Sequence, residues 1–330
     1  MNVHDHVLSE TNNTPTPFAN GALFITAILS GIFLGLLAPT SSERLSGGID
    51  LTLLLMIFLI FFELSFKGVM RGFSNLKFLT IAWCSNFLII PVIGLVIASL
   101  LLSRESLLFV ALMIYFLAPC TDWFLGFTRL AKGDTELGAA LIPINLISQL
   151  LLFPLWLWLL TKDEALVEYY AIPTMLIQWF IVPLLVAQTL RLAFERISPV
   201  GWSENILSWI NLVVPFVLAA FIVQIFAAHI ATSSIDLELL VIVVIAVCMF
   251  FAVTSIVGEC LSHFGRLQYS QKTLLSMTMA ARNAPLMLAL TAIAIPNEAM
   301  VLTVIVLAML VEIPLLTALN RLILARDYRQ

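Results

Sequence analysis

Ten apolar runs, each about 20 residues long and so able to cross roughly 30 Å of hydrocarbon, leave this chain little choice but a bilayer. They cover approximately residues 18–38, 51–66, 78–102, 107–127, 139–160, 173–190, 206–228, 237–261, 273–295 and 299–319. Composition agrees, because 61% of the 330 residues are hydrophobic, 11% are charged and the mean hydropathy is +1.07, outside the range of soluble domains. In hydrocarbon each backbone N–H and C=O needs a partner within the protein, which restricts such runs to helices. The expected fold is an all-α polytopic membrane protein with ten transmembrane helices. Residues 1–17 are polar, carry no Lys or Arg, and lack the basic-then-apolar order of a secretory leader; no cleavable signal is expected, and this stretch is read as a polar cytoplasmic tail.

The basic residues test the count. Arg44, Arg104 and Lys162 are the only Lys or Arg in the odd-numbered connections. Lys67, Arg71, Lys77, Arg129, Lys132, Arg191, Arg196, Arg266, Lys272, Arg321, Arg326 and Arg329 lie in or beside the even-numbered ones and the carboxyl end. Twelve against three, with Arg282 left inside a run, places both termini in the cytoplasm of a plasma (inner) membrane protein by the positive-inside rule. The net charge of -4 says little about partners. Cys84, Cys120, Cys248 and Cys260 all fall in or at the ends of apolar runs, which argues against a disulfide framework.

Ten helices with both ends on one side divide into five plus five, and an odd number per half turns the second half upside down. The expected organisation is a first repeat at 18–160, an external connection at 161–172, a second, inverted repeat at 173–320 and a tail at 321–330. The fourth run of each half is interrupted by Ala-Pro, at Ala118-Pro119 and Ala284-Pro285. A charge stands three residues from each proline, Asp122 after the first and Arg282 before the second. Proline removes a backbone donor and frees a carbonyl, and paired interruptions in corresponding positions of two halves point to the binding site of a secondary transporter. Broken helices 4 and 9 are therefore expected to cross near the midplane.

Pro91, Pro143, Pro154, Pro183, Pro215 and Pro314 also lie in apolar runs; for these a kink repaired by neighbouring helices is the plainer reading. The charges set Pro119 and Pro285 apart, because an ionisable group at mid-membrane costs at least about 2.5–3.5 kcal/mol and usually marks a pathway. Asp122 and Arg282 both lie on the cytoplasmic side of their own breaks and are expected to be able to meet, either as a purely structural pair or as part of a site. Glu63, nearer a run end, is read as snorkelling or solvated.

Leu130-Ala131-Lys132-Gly133-Asp134, with Cys120 before it and Asn145 and Gln149 four apart after it, is the stretch in which the chain resembles the bile acid/sodium symporter superfamily. Within that superfamily it is most similar to the arsenite-efflux permeases of arsenical resistance, and Asn86 followed by Pro91 also matches the pattern. The resemblance implies substrate-site roles for Cys120, Asn145 and Gln149; with Thr121, Arg282 and Asn283 beside the breaks these are the candidate substrate-binding residues, and Asn86, Asp122 and Arg282 are the coupling candidates. It also implies that Cys120 is the thiolate that engages trivalent arsenic. The chain departs from the pattern in helix 9. Where the family carries two asparagines followed closely by a glutamate, which in the sodium-coupled relatives helps hold the cation, this chain reads Ala281-Arg282-Asn283-Ala284-Pro285. A guanidinium is always charged and repels Na+, so no sodium coupling is expected through that site; the missing negative charge is assigned to Asp122, with proton coupling as one of its roles.

Each candidate has a plainer alternative. Cysteine fills apolar space, which is the reading kept for Cys84, Cys248 and Cys260, whereas Cys120 sits beside a break where free amides and helix dipoles lower a thiol pKa. Asn145 and Gln149 share one helix face and serve either as interhelical glue or as hydration for a polar solute. Thr121, Thr128 and Thr278 are weaker candidates, since threonine readily bonds its own helix. No cofactor or metal site is implied, and no phosphate loop, zinc-helix motif or nucleophile elbow is present. The partners implied are a small-molecule substrate and the lipid bilayer, without nucleic acid, and a homo-oligomer is left open. Three functions remain: efflux of arsenite, antimonite or a related oxyacid driven by protons or potential; symport of an organic anion whose carboxylate pairs with Arg282; or a non-transporting sensor or channel. No enzymatic chemistry is expected.

Overall fold

The structure, a computed structural model, describes residues 17–37, 45, 47–63, 75–104, 106–121, 123–161, 177–197, 202–229, 237–295 and 298–327. In chain order the helices are α1 (Pro17–Leu37), α2 (Ile49–Glu63), α3 (Leu76–Leu101, with a π turn at Ser85–Ile89), α4 (Leu107–Phe116), α5 (Phe124–Leu130) and α6 (Thr135–Thr161). They continue as α7 (Val182–Ile197), α8 (Trp202–His229), α9 (Leu237–Phe264), α10 (Tyr269–Ala280), α11 (Ala284–Ala294) and α12 (Ala299–Asp327). Five helical stretches, Leu76–Leu101, Thr135–Leu160, Ile177–Arg196, Glu238–Phe264 and Ala299–Ala325, are long and apolar enough to cross a membrane by length and composition.

The interrupted runs behave differently from the merely proline-containing ones. Run 107–127 becomes α4 and α5 with non-helical chain between them, and run 273–295 becomes α10 and α11. Pro143, Pro154, Pro215 and Pro314 sit inside unbroken helices. Pro91 and Pro183 each follow a five-residue π turn, Ser85–Ile89 and Ile177–Ile181; an extra residue in the turn is one way a helix accommodates the missing donor and the ring.

Cα proximity divides the chain into two compact units, residues 1–63 with 179–231, and residues 64–178 with 232–330. Each unit takes helices from both halves of the sequence. In the first, α8 packs along α1 and α2, and α7 packs on α2. The α1–α8 approach is close at Gly31, where a Cβ would lie 2.7 Å from Phe226 Cβ and 2.8 Å from the Val223 carbonyl. The end of α2 is held by α7. Arg191 donates from Nη1 to the carbonyls of Phe62 (2.9 Å) and Glu63 (2.7 Å), and Gln188 donates to that of Phe61 (2.6 Å), satisfying carbonyls that the helix itself leaves open. Large apolar side chains on this unit, Phe33, Leu185 and Trp209 among them, are more than 60% exposed, a surface suited to lipid rather than to water.

In the second unit α12 packs against α4, α5, α9, α10 and α11, and α9 against α3 and α10. The Ala131-to-Asp134 turn is architectural. Lys132 takes a positive φ of 58°, Gly133 N–H bonds the Thr128 carbonyl (2.8 Å) and Lys132 N–H that of Arg129 (3.1 Å), which is the Schellman closure of a helix. A Cβ at Gly133 would lie 2.5 Å from Thr128 Cγ2, so the glycine is a steric need. Asp134 Oδ1 then accepts the Leu137 amide at 3.0 Å and caps α6. One short motif thus ends α5 and starts the helix that carries Asn145 and Gln149.

Candidate functional site

The two interruptions meet. Pro119 and Arg282 face each other as an isolated antiparallel bridge, flanked by Asn283 N–H to the Ala118 carbonyl (2.9 Å) and Cys120 N–H to the Ala281 carbonyl (3.2 Å). Residues facing each other in a pair of this kind do not exchange their own N–H groups. Pro119, lacking a donor, therefore loses nothing toward its partner, while the Arg282 N–H is turned outward. The break at 281–283 ends before the second proline. Asn283 is the N-cap of α11, its Oδ1 accepting the Leu286 amide at 3.2 Å, and Pro285 sits in the first turn, where a missing N–H is harmless. Pro285 therefore starts the second half-helix instead of lying in the unwound stretch expected at Ala284-Pro285.

Arg282 is completely buried. Its guanidinium donates from Nη1 to the Phe116 carbonyl (2.9 Å) and from Nη2 to those of Thr278 and Met279 (2.8 Å each). Those carbonyls belong to the last turns of α4 and α10, so one cation satisfies open acceptors at two helix ends, each carrying about half a negative charge. Beneath it lies Phe250 of α9, with Cζ 5.3 Å from the ring centroid, and that ring stacks on Phe116 at 4.5 Å and 9°. Nε alone has no hydrogen-bond partner.

Asp122, expected to meet Arg282, lies outside the described residues. The carboxylate that the structure does place at the crossing is Glu312 of α12, completely buried and absent from the sequence-based site. Its Oε1 accepts the Arg282 amide at 2.9 Å and the Trp123 indole N–H at 3.3 Å, and its Oε2 accepts the Tyr115 hydroxyl at 2.7 Å. Three donors, from the end of α4 and from both breaks, converge on one side chain. The signal that could have found it is the rule that singled out Asp122: an ionisable residue inside an apolar run. It stands two residues before Pro314 in α12.

The polar candidates gather around this knot in two groups. Asn283 Nδ2 donates to Thr121 Oγ1 at 2.8 Å, and Asn86 Nδ2, in the π turn of α3, donates to Thr278 Oγ1 at 3.1 Å. Cys120 is fully buried within the crossing. Thr128 bonds its own helix, at the Phe124 carbonyl. Asn145 and Gln149 on α6 form the second group. They are 0% and 3% exposed, and the amide nitrogen and oxygen of each lack a hydrogen-bond partner, as does Asn86 Oδ1. Gln149 borders a cavity of about 10 Å³ together with Leu117 from the first break and Met287 from the first turn of α11, room for about one water. Cys248 and Cys260 are exposed and Cys84 half-buried, so packing inside the protein does not describe the first two.

The model of the Sodium Bile acid symporter family matches residues 50–233, more than half of the chain. The chain belongs to that family. Membership makes it an integral membrane transporter with a small-molecule substrate, in general terms not an enzyme, and bears out the resemblance read from residues 120–149. A relative 25% identical over 314 residues, covering 90% of this chain and 83% of its own length, is the "Arsenical-resistance protein Acr3" of Corynebacterium glutamicum. The residues that match the symporter family model include the first break, Asn145 and Gln149, and end before Arg282 and Glu312.

Proposed function

We propose that this member of the symporter family is a secondary active transporter that expels arsenite, antimonite or a related small oxyacid, driven by protons or membrane potential rather than by sodium. The supporting observation is the set of unused amide donors and acceptors on Asn145 and Gln149. A buried polar group without a partner costs about 1–3 kcal/mol, and a transport protein recovers that cost when a solute supplies the missing bonds. Arsenous acid is an uncharged trihydroxide whose donors and acceptors suit two such amides, and the thiol of Cys120, buried in the first break, has the sulfur affinity that trivalent arsenic seeks. The Corynebacterium relative points the same way. Entry of a solute into so small a cavity requires the surrounding helices to move, as alternating access does.

In this reading ten spans form two inverted five-helix repeats, 18–160 and 173–320, with both termini in the cytoplasm of a plasma-membrane protein; helices from each half in both compact units support it. Arg282 fills the crossing with a fixed positive charge, which disfavours a Na+ ion there. The same commitment of its guanidinium to three carbonyls weighs against an organic-anion symporter that would use its fork to hold a carboxylate.

The test is growth on arsenite of a host that lacks its own arsenic pump. The chain is expected to confer resistance that persists when sodium in the medium is replaced by choline, and Asn145→Leu, Gln149→Leu or Cys120→Ser is expected to abolish it. Resistance unchanged in all three variants, or lost on sodium removal, overturns the proposal.

A further inference from the structure

Among the described residues, Glu312 is the only buried carboxylate, and its hydrogen bonds tie one helix to both unwound stretches. We propose that Glu312 carries the coupling proton through the transport cycle, the role the sequence alone had suggested for Asp122. This rests on the reading of the chain as a proton-driven transporter and gives that reading an atom.

The geometry supplies a switch. Oε1 holds two N–H donors that cannot reverse, the Arg282 amide and the Trp123 indole, whereas Oε2 holds a hydroxyl, Tyr115, that both donates and accepts. A proton arriving from water binds Oε2. The new O–H then donates to Tyr115 Oη, whose own hydrogen rotates away, and release of the proton to water on the other side restores the original bond. One proton enters, one leaves, and no other bond breaks.

Protonation changes two things together. The Oε1 bonds lose their charge assistance, which roughly doubles the strength of such a bond, so the hold of α12 on both breaks loosens at once. The crossing also passes from a balanced Glu312/Arg282 pair to a net positive charge. The titratable or charged groups acting on Glu312 are Tyr115 from α4 and Arg282 from the second break; α5, α9, α10 and α11, which also pack on α12, bring no other such group to it among the described residues. Asn320, two turns further along the same face of α12, donates to the Phe127 carbonyl of α5 at 2.9 Å, so a shift of α12 is transmitted to the second half of the broken helix as well.

The test uses the full chain in proteoliposomes, with arsenite flux measured under imposed pH gradients. Wild-type flux is expected to follow the gradient. Glu312→Gln, which keeps the side-chain volume and an acceptor oxygen, is expected to lose that dependence while still carrying arsenite down its own concentration gradient. A second arm does not depend on the substrate: infrared difference spectra of the purified protein between acid and alkaline pH. The carbonyl-stretch band of a buried protonated carboxyl is expected in the wild type, absent in Glu312→Gln, and titrating with a displaced midpoint in Tyr115→Phe. Glu312→Gln flux that is reduced by one factor at every gradient, with the dependence intact, overturns the proposal in favour of a structural tie. A spectral band that survives Glu312→Gln, or that titrates identically in Tyr115→Phe, overturns it too. If arsenite is not carried at all while the band behaves as expected, the substrate assignment fails and the proton site stands. Should Glu312→Gln not fold, the Tyr115→Phe midpoint decides.

Discussion

Between Phe116 and Phe124 the chain leaves the helix for a long interval, and between Ala280 and Ala284 for a short one, although both breaks pair through the same bridge. The short break is fixed at every point: Asn283 caps α11, Arg282 clamps the ends of α4 and α10, and Pro285 presets the first turn. The long break instead contributes side chains to the crossing: Cys120 and Thr121 are buried there, Thr121 accepts from Asn283, and Trp123 reaches Glu312. In the proposed function this is a division of labour, rigidity on one strand and candidate solute contacts on the other, since a site holds its geometry only when something beside it is immobile. In unit 1 Arg191 clamps the end of α2 in the same manner but shares its charge with Glu195 on its own helix at 3.1 Å. Arg282 is completely buried and spans two helices, and the acid that acts on it among the described residues, Glu312, comes from another helix.

The comparison is open to attack at three positions. Arg282→Ala strikes hardest, removing the donors for three buried carbonyls and the cation nearest Glu312; a loss of about 3–5 kcal/mol is expected, read as thermal unfolding of the detergent-purified chain, and a loss below about 1 kcal/mol would mean that the clamp is not what fixes the short break. Asn283→Ala removes an N-cap and the bond to Thr121, with an expected cost of about 1–2 kcal/mol in the same assay. Pro285→Ala is the mildest, under about 1 kcal/mol, because the first helical turn needs no proline. Were Pro285→Ala to cost more than Asn283→Ala, the proline and not the cap would be starting α11.

A further contrast separates Asn283, whose amide is used, from Gln149, whose amide is not. Gln149→Leu removes a buried group without partners, so the ligand-free protein is expected to hold or gain thermal stability, by up to about 1–3 kcal/mol, while arsenite resistance disappears. Equal losses of stability at the two positions would place Gln149 among the structural residues.

Much of this was legible from the chain. Hydrocarbon tolerates only helices with satisfied backbones, so apolar runs of sufficient length announced the elements; Ala-Pro with a charge three residues away marked the runs that break, 107–127 and 273–295, although Glu312, two residues before Pro314 in the unbroken α12, shows that a proline near a charge does not by itself break a run. The family resemblance lay in local spacing, from Cys120 through the Ala131-to-Asp134 turn to Asn145 and Gln149. Glu312 was not legible as part of the site: a glutamate in an apolar run signals expense without naming who shares it, and its three donors come from positions some 30 to nearly 200 residues away. The exact place of the second break was likewise hidden, because a proline at the start of a helix and one inside a gap look alike until a cap is seen.

Sequence by itself determined the solvent, the helical elements, the existence of two interruptions and the family, since each follows from interactions among near neighbours or from the length of an apolar run. Only the tertiary structure decided that Arg282 spends its charge on two helix ends, that Glu312 joins the crossing, and that Asn145 and Gln149 are buried with their amides unused. Those facts depend on which carbonyls, hydroxyls and rings arrive within about 3–5 Å of one another, the distances at which hydrogen bonds and ring contacts act, and that is settled by how distant helices pack.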